Sequence, residues 1–178
     1  MHIMDLNTTG INYKDHNIFI FNYEFNIEKL KDEYQSRIDE FKEYVAYKPD
    51  GSPVVYEGKE VILPHWKVVR FIEFDYANEI CEIFKIKARP RFFVQDANST
   101  LRMHKDSGTE CSINILLDYK NPAKVDFEDK SYSYNQCLLN TQNIHGVKNT
   151  NEKRILFKLS IRDETYESVC RKIEKVIN

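Results

Sequence analysis

Residues 101–117 read LRMHKDSGTECSINILL, with His104 and Asp106 two positions apart ahead of an apolar run. On a strand, residues i and i+2 share a face, so this imidazole and this carboxylate can enter one cavity together. A third metal ligand must come from elsewhere in the fold. Among the five histidines the best placed is His145, in NIHGVKN, which lies 41 residues after His104 and between two strand-like runs. In an antiparallel sandwich that separation returns the chain to the same end. Two imidazoles and one carboxylate occupy one face of an octahedral metal and leave three positions open, which suits non-haem Fe(II). A structural zinc site takes four closed ligands, usually with sulfur. Cys81, Cys111, Cys137 and Cys170 contain no CxxC pair and read as small apolar fillers. Arg154 opens the run KRILFKLSI nine residues after His145. A guanidinium inside a sandwich needs an anionic partner, and it takes a carboxylate as a two-pronged fork. His2, His16 and His65 have no comparable context.

The elements that must position these residues are legible in outline. Residues 17–25 read as a strand. Over residues 26–47, Ile27, Leu30, Tyr34, Ile38, Phe41 and Val45 recur at steps of three and four, which predicts an amphipathic helix capped by Asn26. Residues 49–64 read as loop with a short hairpin turning at Glu57-Gly58. A second helix is expected over 73–84, and a last one over 165–176 with Tyr166, Val169, Cys170, Ile173 and Val176 on one stripe. Between them, RFFVQD, LRMH, CSINILLD, KVDFED, YSYNQCLLN and KRILFKLSI are short strand-like runs divided by turn residues. Helices first, then about six antiparallel strands, then a helix imply a β-sandwich or open barrel braced on one side by helices.

The chain has 178 residues, enough for one domain with a core, and its 11 Tyr and 11 Phe must line that core or a pocket. A net charge near −2 argues against a general nucleic-acid binder. No apolar run approaches a membrane span, and MHIMDLNTTG has neither the basic start nor the apolar stretch of a signal peptide. The expectation is a cytoplasmic protein with no membrane partner and an open oligomeric state.

His-x-Asp, then a histidine some forty residues later, then an arginine nine residues beyond it resembles the pattern of the Fe(II)- and 2-oxoglutarate-dependent dioxygenases. LRMHKDSGTECSINILL followed by LLNTQNIHGVKNTNEKRILFKLSI is similar to their aspartyl/asparaginyl and prolyl hydroxylase-like branch, including small phage and bacterial forms. The resemblance covers residues 89–162. It implies a mainly β fold with flanking helices, a double-stranded β-helix of jelly-roll or cupin type. The expected layout is a single domain over 1–178, with helical support over 26–88, a β-helix core over 89–162 and a C-terminal helix over 163–177.

The resemblance further implies that His104, Asp106 and His145 hold Fe(II), and that Arg154 pairs with the distal carboxylate of 2-oxoglutarate. Ser112 and Asn114, which share a strand face, are expected to hydrogen-bond that co-substrate. With O2, and ascorbate as a supporting reductant, the reaction is hydroxylation of a C–H bond on a peptidyl or small-molecule substrate, with release of succinate and CO2. Phe92 or Phe93, Trp66, and Tyr132 or Tyr134 are expected to wall the pocket, with Arg102 on the parity of His104. The competing readings are a catalytically silent β-helix that binds a small ligand and, third, a metal-dependent hydrolase.

Overall fold

The computed structural model of the chain describes residues 3–5, 12–48, 50, 52–70, 73–118, 123–148 and 151–178. In chain order the first half forms β1 (Ile3–Asp5), β2 (Tyr13–Lys14), β3 (Ile18–Ile20), α1 (Ile27–Ser36), β4 (Lys42–Val45), β5 (Val55–Tyr56), β6 (Lys59–Glu60), β7 (Ile62–Val69) and α2 (Asp75–Phe84). The second half forms β8 (Arg89–Gln95), β9 (Thr100–His104), β10 (Cys111–Leu116), β11 (Ala123–Phe127), β12 (Ser131–Tyr134), β13 (Gln136–Asn140), β14 (His145–Lys148), β15 (Arg154–Ile161) and α3 (Tyr166–Ile177). Eight strands make a major sheet in the order β2-β3-β13-β10-β15-β8-β7-β4, and five make a minor sheet in the order β1-β12-β11-β14-β9. β5 and β6 are a separate hairpin. The two larger sheets face one another as an open double-stranded β-helix, the expected architecture. No described helix is long and apolar enough to cross a membrane.

Alternation along the major sheet sorts side chains into two layers. On β15, Ile155, Phe157, Leu159 and Ile161 pack with Leu30, Ile80, Phe84, Val169 and Ile173, so the three helices cover the outer face of the sheet. Leu156 points the other way, into a second cluster with Trp66, Phe93, Val125, Phe127, Tyr132 and Tyr134 between the two sheets. The same parity puts Arg154 and Lys158 on the inner face. Phe92 therefore packs under the helices, and Phe93 is the one that lines the interior.

The N-terminal region departs from its reading in three places. The first helix stops at Ser36 rather than running to residue 47, although Asn26 Oδ1 does cap it by accepting from Lys29 N at 3.1 Å. After a 3-10 turn at Ile38–Glu40 the chain becomes β4, an edge strand paired with β7. Backbone pairing with β7 overrides the helical spacing, and Phe41 still reaches Tyr34, with ring centroids 5.4 Å apart. Residues 62–69, of which only Ile62 and Leu63 are expected in a strand, as the end of the hairpin, form β7, the neighbour of β8. A bulge hides this strand's alternation: His65 has φ +70° and the β4–β7 register shifts between Glu43 and Tyr44. The strand read over 17–25 is only Ile18–Ile20, buried on both faces. The turn at Glu57-Gly58 is as expected, with φ values of +50° and +75°.

Strands β9 and β14 approach so closely that Gly146 has no room for a side chain. A Cβ there would lie 3.0 Å from the Leu101 carbonyl oxygen and 3.2 Å from Met103 N. Both contacts are backbone, so a side chain must push the strands apart. Gly146→Ala is expected to cost about 1–3 kcal/mol by overpacking, read as a lower urea midpoint. An unchanged midpoint would show that this pair of strands is not held tightly.

Candidate metal centre

His104 ends β9 and His145 opens β14, and the two are register partners with ring centroids 4.6 Å apart. Asp106 lies in the loop after β9. Its N–H donates to the Thr141 carbonyl at 3.0 Å, and Gln142 Nε2 donates to the carbonyls of Asp106 at 3.4 Å and Thr109 at 2.6 Å. Thr141 Oγ1 also donates to the Thr109 carbonyl at 2.6 Å. The turn before β14 thus laces the Asp106 loop in place. His104, Asp106 and His145 offer ligand atoms that all lie within 4.8 Å of one another.

The orientation of each ring is set by a backbone carbonyl. His104 Nδ1 lies 2.8 Å from the Arg102 oxygen, and His145 Nδ1 lies 2.9 Å from the Asn143 oxygen. A carbonyl only accepts, so each Nδ1 carries a proton and each Nε2 is turned to the shared centre. His104 Nε2 is 3.2 Å and His145 Nε2 3.7 Å from Asp106 Oδ1. The other carboxylate oxygen, Oδ2, accepts from Lys158 Nζ at 2.6 Å. Oδ1 is left for a metal and Oδ2 is held by the major sheet.

Charge at the three ligands follows from these neighbours. Burial opposes ionisation of Asp106, but Lys158, His104 and His145 outweigh it and hold the carboxyl far below the usual range. Burial pushes His145 down to about 4, against the pull of Asp106, so its imidazole is neutral at pH 7. Burial also works against protonation of His104, but the hydrogen bonds to Asp106 and the Arg102 carbonyl prevail and raise it. A metal bound at His104 Nε2 would have to displace the proton that this shift favours. A carboxylate, a neutral imidazole and an imidazole that gives up one proton fit a divalent cation.

The remaining sequence-predicted residues line the interior beyond this centre. Arg154 is 6% exposed, and its Nε and Nη1 are buried without a hydrogen-bond partner among the described residues. Its guanidinium carbon lies 5.5 Å from the Trp66 ring centroid, and the Tyr134 hydroxyl is its polar neighbour. Ser112 Oγ donates to Asn114 Oδ1 at 3.0 Å, and Asn114 Nδ2 reaches the Tyr134 hydroxyl at 3.5 Å. Ser112, Asn114, Tyr134 and Arg154 so form one buried polar chain. Trp66, Phe93, Tyr132 and Tyr134 belong to the apolar lining. The Arg102 side chain is exposed, and only its carbonyl serves the centre. His65 is exposed beside Asp96, away from the triad.

Sequence reasoning missed Lys158. The signal was present, since Lys158 has the parity of Arg154 in KRILFKLSI. The two backbone carbonyls behind the histidines have no side-chain signature to find.

No family model and no curated protein matches the chain. Solved structures do resemble it. An oxidoreductase of the 2OG-Fe(II) oxygenase family from Burkholderia pseudomallei is 13% identical, over 84% of this chain and 86% of that one, with a TM-score of 0.49. A prolyl-4-hydroxylase from Pseudomonas putida is 11% identical, over 76% and 86%, with a TM-score of 0.47. DMSP lyase DddQ from Ruegeria pomeroyi DSS-3 is 9% identical, over 84% and 68%, with a TM-score of 0.50. At such identities the likeness is one of fold.

Metal binding must displace the His104 proton, so affinity is expected to fall with pH. Titration of Mn(II), followed by its electron paramagnetic resonance signal, should weaken from about pH 8 to about pH 6, by at most about tenfold per unit. The raised His104 pKa sets the sign, because more of the protein carries the competing proton as pH falls. A pH-independent affinity across this range would contradict the arrangement.

Proposed function

We propose that the protein is an Fe(II)- and 2-oxoglutarate-dependent oxygenase that hydroxylates a C–H bond and releases succinate and CO2. The observation that carries this reading is the buried Arg154 guanidinium, which has no carboxylate partner among the described residues, together with a His-Asp-His group that can hold a metal. An uncompensated buried cation is costly, and a ligand carboxylate removes that cost. Arg154 and Lys158 are four residues apart on one strand face, about 13 Å along the strand. Lys158 is held by Asp106, so a short dicarboxylate has only Arg154 as its basic partner on this strand.

In this reading His104 Nε2, His145 Nε2 and Asp106 Oδ1 hold the metal, and Lys158 keeps Oδ2 from joining as a second ligand. Arg154 binds the distal carboxylate of 2-oxoglutarate, with the Tyr134 hydroxyl and the Ser112–Asn114 pair positioned along the same wall. Burial pushes the Tyr134 phenol up to about 12, so it stays a neutral hydrogen-bonding group. Bound iron and 2-oxoglutarate would supply the oxidative chemistry with O2; the chain supplies the ligands and their alignment. Trp66, Phe93 and Tyr132 belong to the buried apolar cluster of that interior. A prolyl or asparaginyl/aspartyl hydroxylase-like branch is the finer assignment, supported by the likeness of LRMHKDSGTECSINILL and LLNTQNIHGVKNTNEKRILFKLSI to that branch.

Anaerobic addition of Fe(II) and 2-oxoglutarate should produce a weak metal-to-ligand absorption band. Arg154→Met is expected to weaken 2-oxoglutarate binding by about 30-fold or more, the equivalent of about 2 kcal/mol for one partner of a buried charge pair, and to leave Mn(II) binding in place. The ligand-free variant should melt no lower than wild type, because an unpaired buried charge is gone. No band with wild type, or unaltered 2-oxoglutarate affinity in the variant, would sink the reading.

A further inference from the structure

A row of like charges crosses the inner face of the major sheet at the level of the metal centre. Asn114 is the register partner of Lys158, and Lys158 is the register partner of Arg91. The β7–β8 register runs from Trp66–Gln95 to Val69–Phe92, and Arg70 follows directly on the last residue of β7. Lys158 and Arg91 therefore lie side by side on neighbouring strands, and Arg70, just past the end of β7, is near enough to repel the Arg91 charge. Like charges directly opposite one another destabilise a sheet. Lys158 is compensated by Asp106, and Arg154 by the distal carboxylate of 2-oxoglutarate when that is bound. Arg91 and Arg70 remain. Neither forms an ion pair with any described carboxylate.

The two arginines are also held ready. The Arg70 guanidinium carbon lies 4.8 Å from the Tyr44 ring centroid and 4.6 Å from that of Tyr47, which fixes its plane. Its Nε is buried with no hydrogen-bond partner among the described residues. Arg91 is half-buried. Burial disfavours its charge, Tyr44 and Asp106 favour it, and Arg70 and Arg162 repel it. Adjacent strands are about 4.8 Å apart, so Arg91 stands one strand and Arg70 about 10 Å from the strand that carries Lys158.

We propose that Arg91 and Arg70 bind an acid group, carboxylate or phosphate, on the molecule being oxidised, so that the substrate is an anionic small molecule. The assignment rests on the oxygenase reading, which defines the site this molecule enters. Both arginines are only partly exposed and Arg70 is stacked on Tyr44, which favours a small acid over a long polyanion. Guanidinium forks select planar carboxylate and phosphate oxygens over neutral groups.

The test loads the full chain with Mn(II) and saturating 2-oxoglutarate, then titrates inorganic phosphate or acetate at constant ionic strength by calorimetry. Wild type should saturate with one anion per chain. Arg91→Met with Arg70→Met should weaken that binding at least about tenfold and leave the Mn(II) and 2-oxoglutarate affinities as they were. Arg91→Gln alone should change it in the same direction if the double variant does not fold. Preference for phosphate points to a phosphorylated substrate and preference for acetate to an organic acid. The proposal is overturned if neither anion saturates wild type, or if the variants bind as wild type does. Loss of 2-oxoglutarate binding by wild type marks failure of the oxygenase reading instead, and phosphate titration without metal or 2-oxoglutarate keeps the two failures apart.

Discussion

The Asp106 carboxylate is the interaction on which the site depends. It is the only described acid that joins the histidine pair of the minor sheet to the basic inner face of the major sheet. Its two oxygens have different work, since Oδ1 faces both imidazoles and Oδ2 holds the Lys158 ammonium at 2.6 Å. A largely buried carboxylate is costly to ionise without partners. Here the partners come from three strands, β9, β14 and β15, so the buried charge is compensated only when both sheets are in register. Folding and assembly of the centre are therefore one event.

That arrangement needs a sheet with two different faces. The helices bury Ile113, Ile115, Phe157, Leu159 and Ile161, a layer that makes large truncations there cost about 2–5 kcal/mol. With the outer face firmly anchored, the inner face can carry Ser112, Asn114, Arg154 and Lys158, groups that add little to folding alone. The apolar part of the interior, with Trp66, Phe93, Leu156 and Tyr132, keeps water from those groups. A low effective dielectric strengthens each remaining charge interaction and raises the cost of each unpaired one. Arg154 is the clearest result, a guanidinium kept in the interior with Nε and Nη1 unpartnered among the described residues.

Much of this was legible in the sequence because it depends on period and order. His104 and Asp106 share strand parity, and the intervening Lys105 is exposed. His145 could be picked out because strand-like runs flank it, and Arg154 because its alternate neighbours are apolar. The second and third helices have unbroken spacing and appear nearly where that spacing puts them. The rest depends on tertiary pairing. The bulge at His65 breaks the alternation that would have marked β7 as a strand. Phe41 and Val45 fit a helical stripe and an edge strand equally well, and pairing with β7 decides between them. Lys158 reads as an ordinary strand lysine until Asp106 is seen beside it. The Arg102 and Asn143 carbonyls act through backbone position, which no residue type encodes.

The central claim is that two Nε2 atoms and Asp106 Oδ1 form one open-faced metal centre that shares its interior with Arg154. Crystals grown without oxygen, with Fe(II) and 2-oxoglutarate, test it most directly by anomalous diffraction at the iron edge. The account predicts one iron peak bounded by His104 Nε2, His145 Nε2 and Asp106 Oδ1, with the far carboxylate of 2-oxoglutarate on the Arg154 guanidinium. Iron bound elsewhere, or iron at the triad with the co-substrate turned away from Arg154, would contradict it.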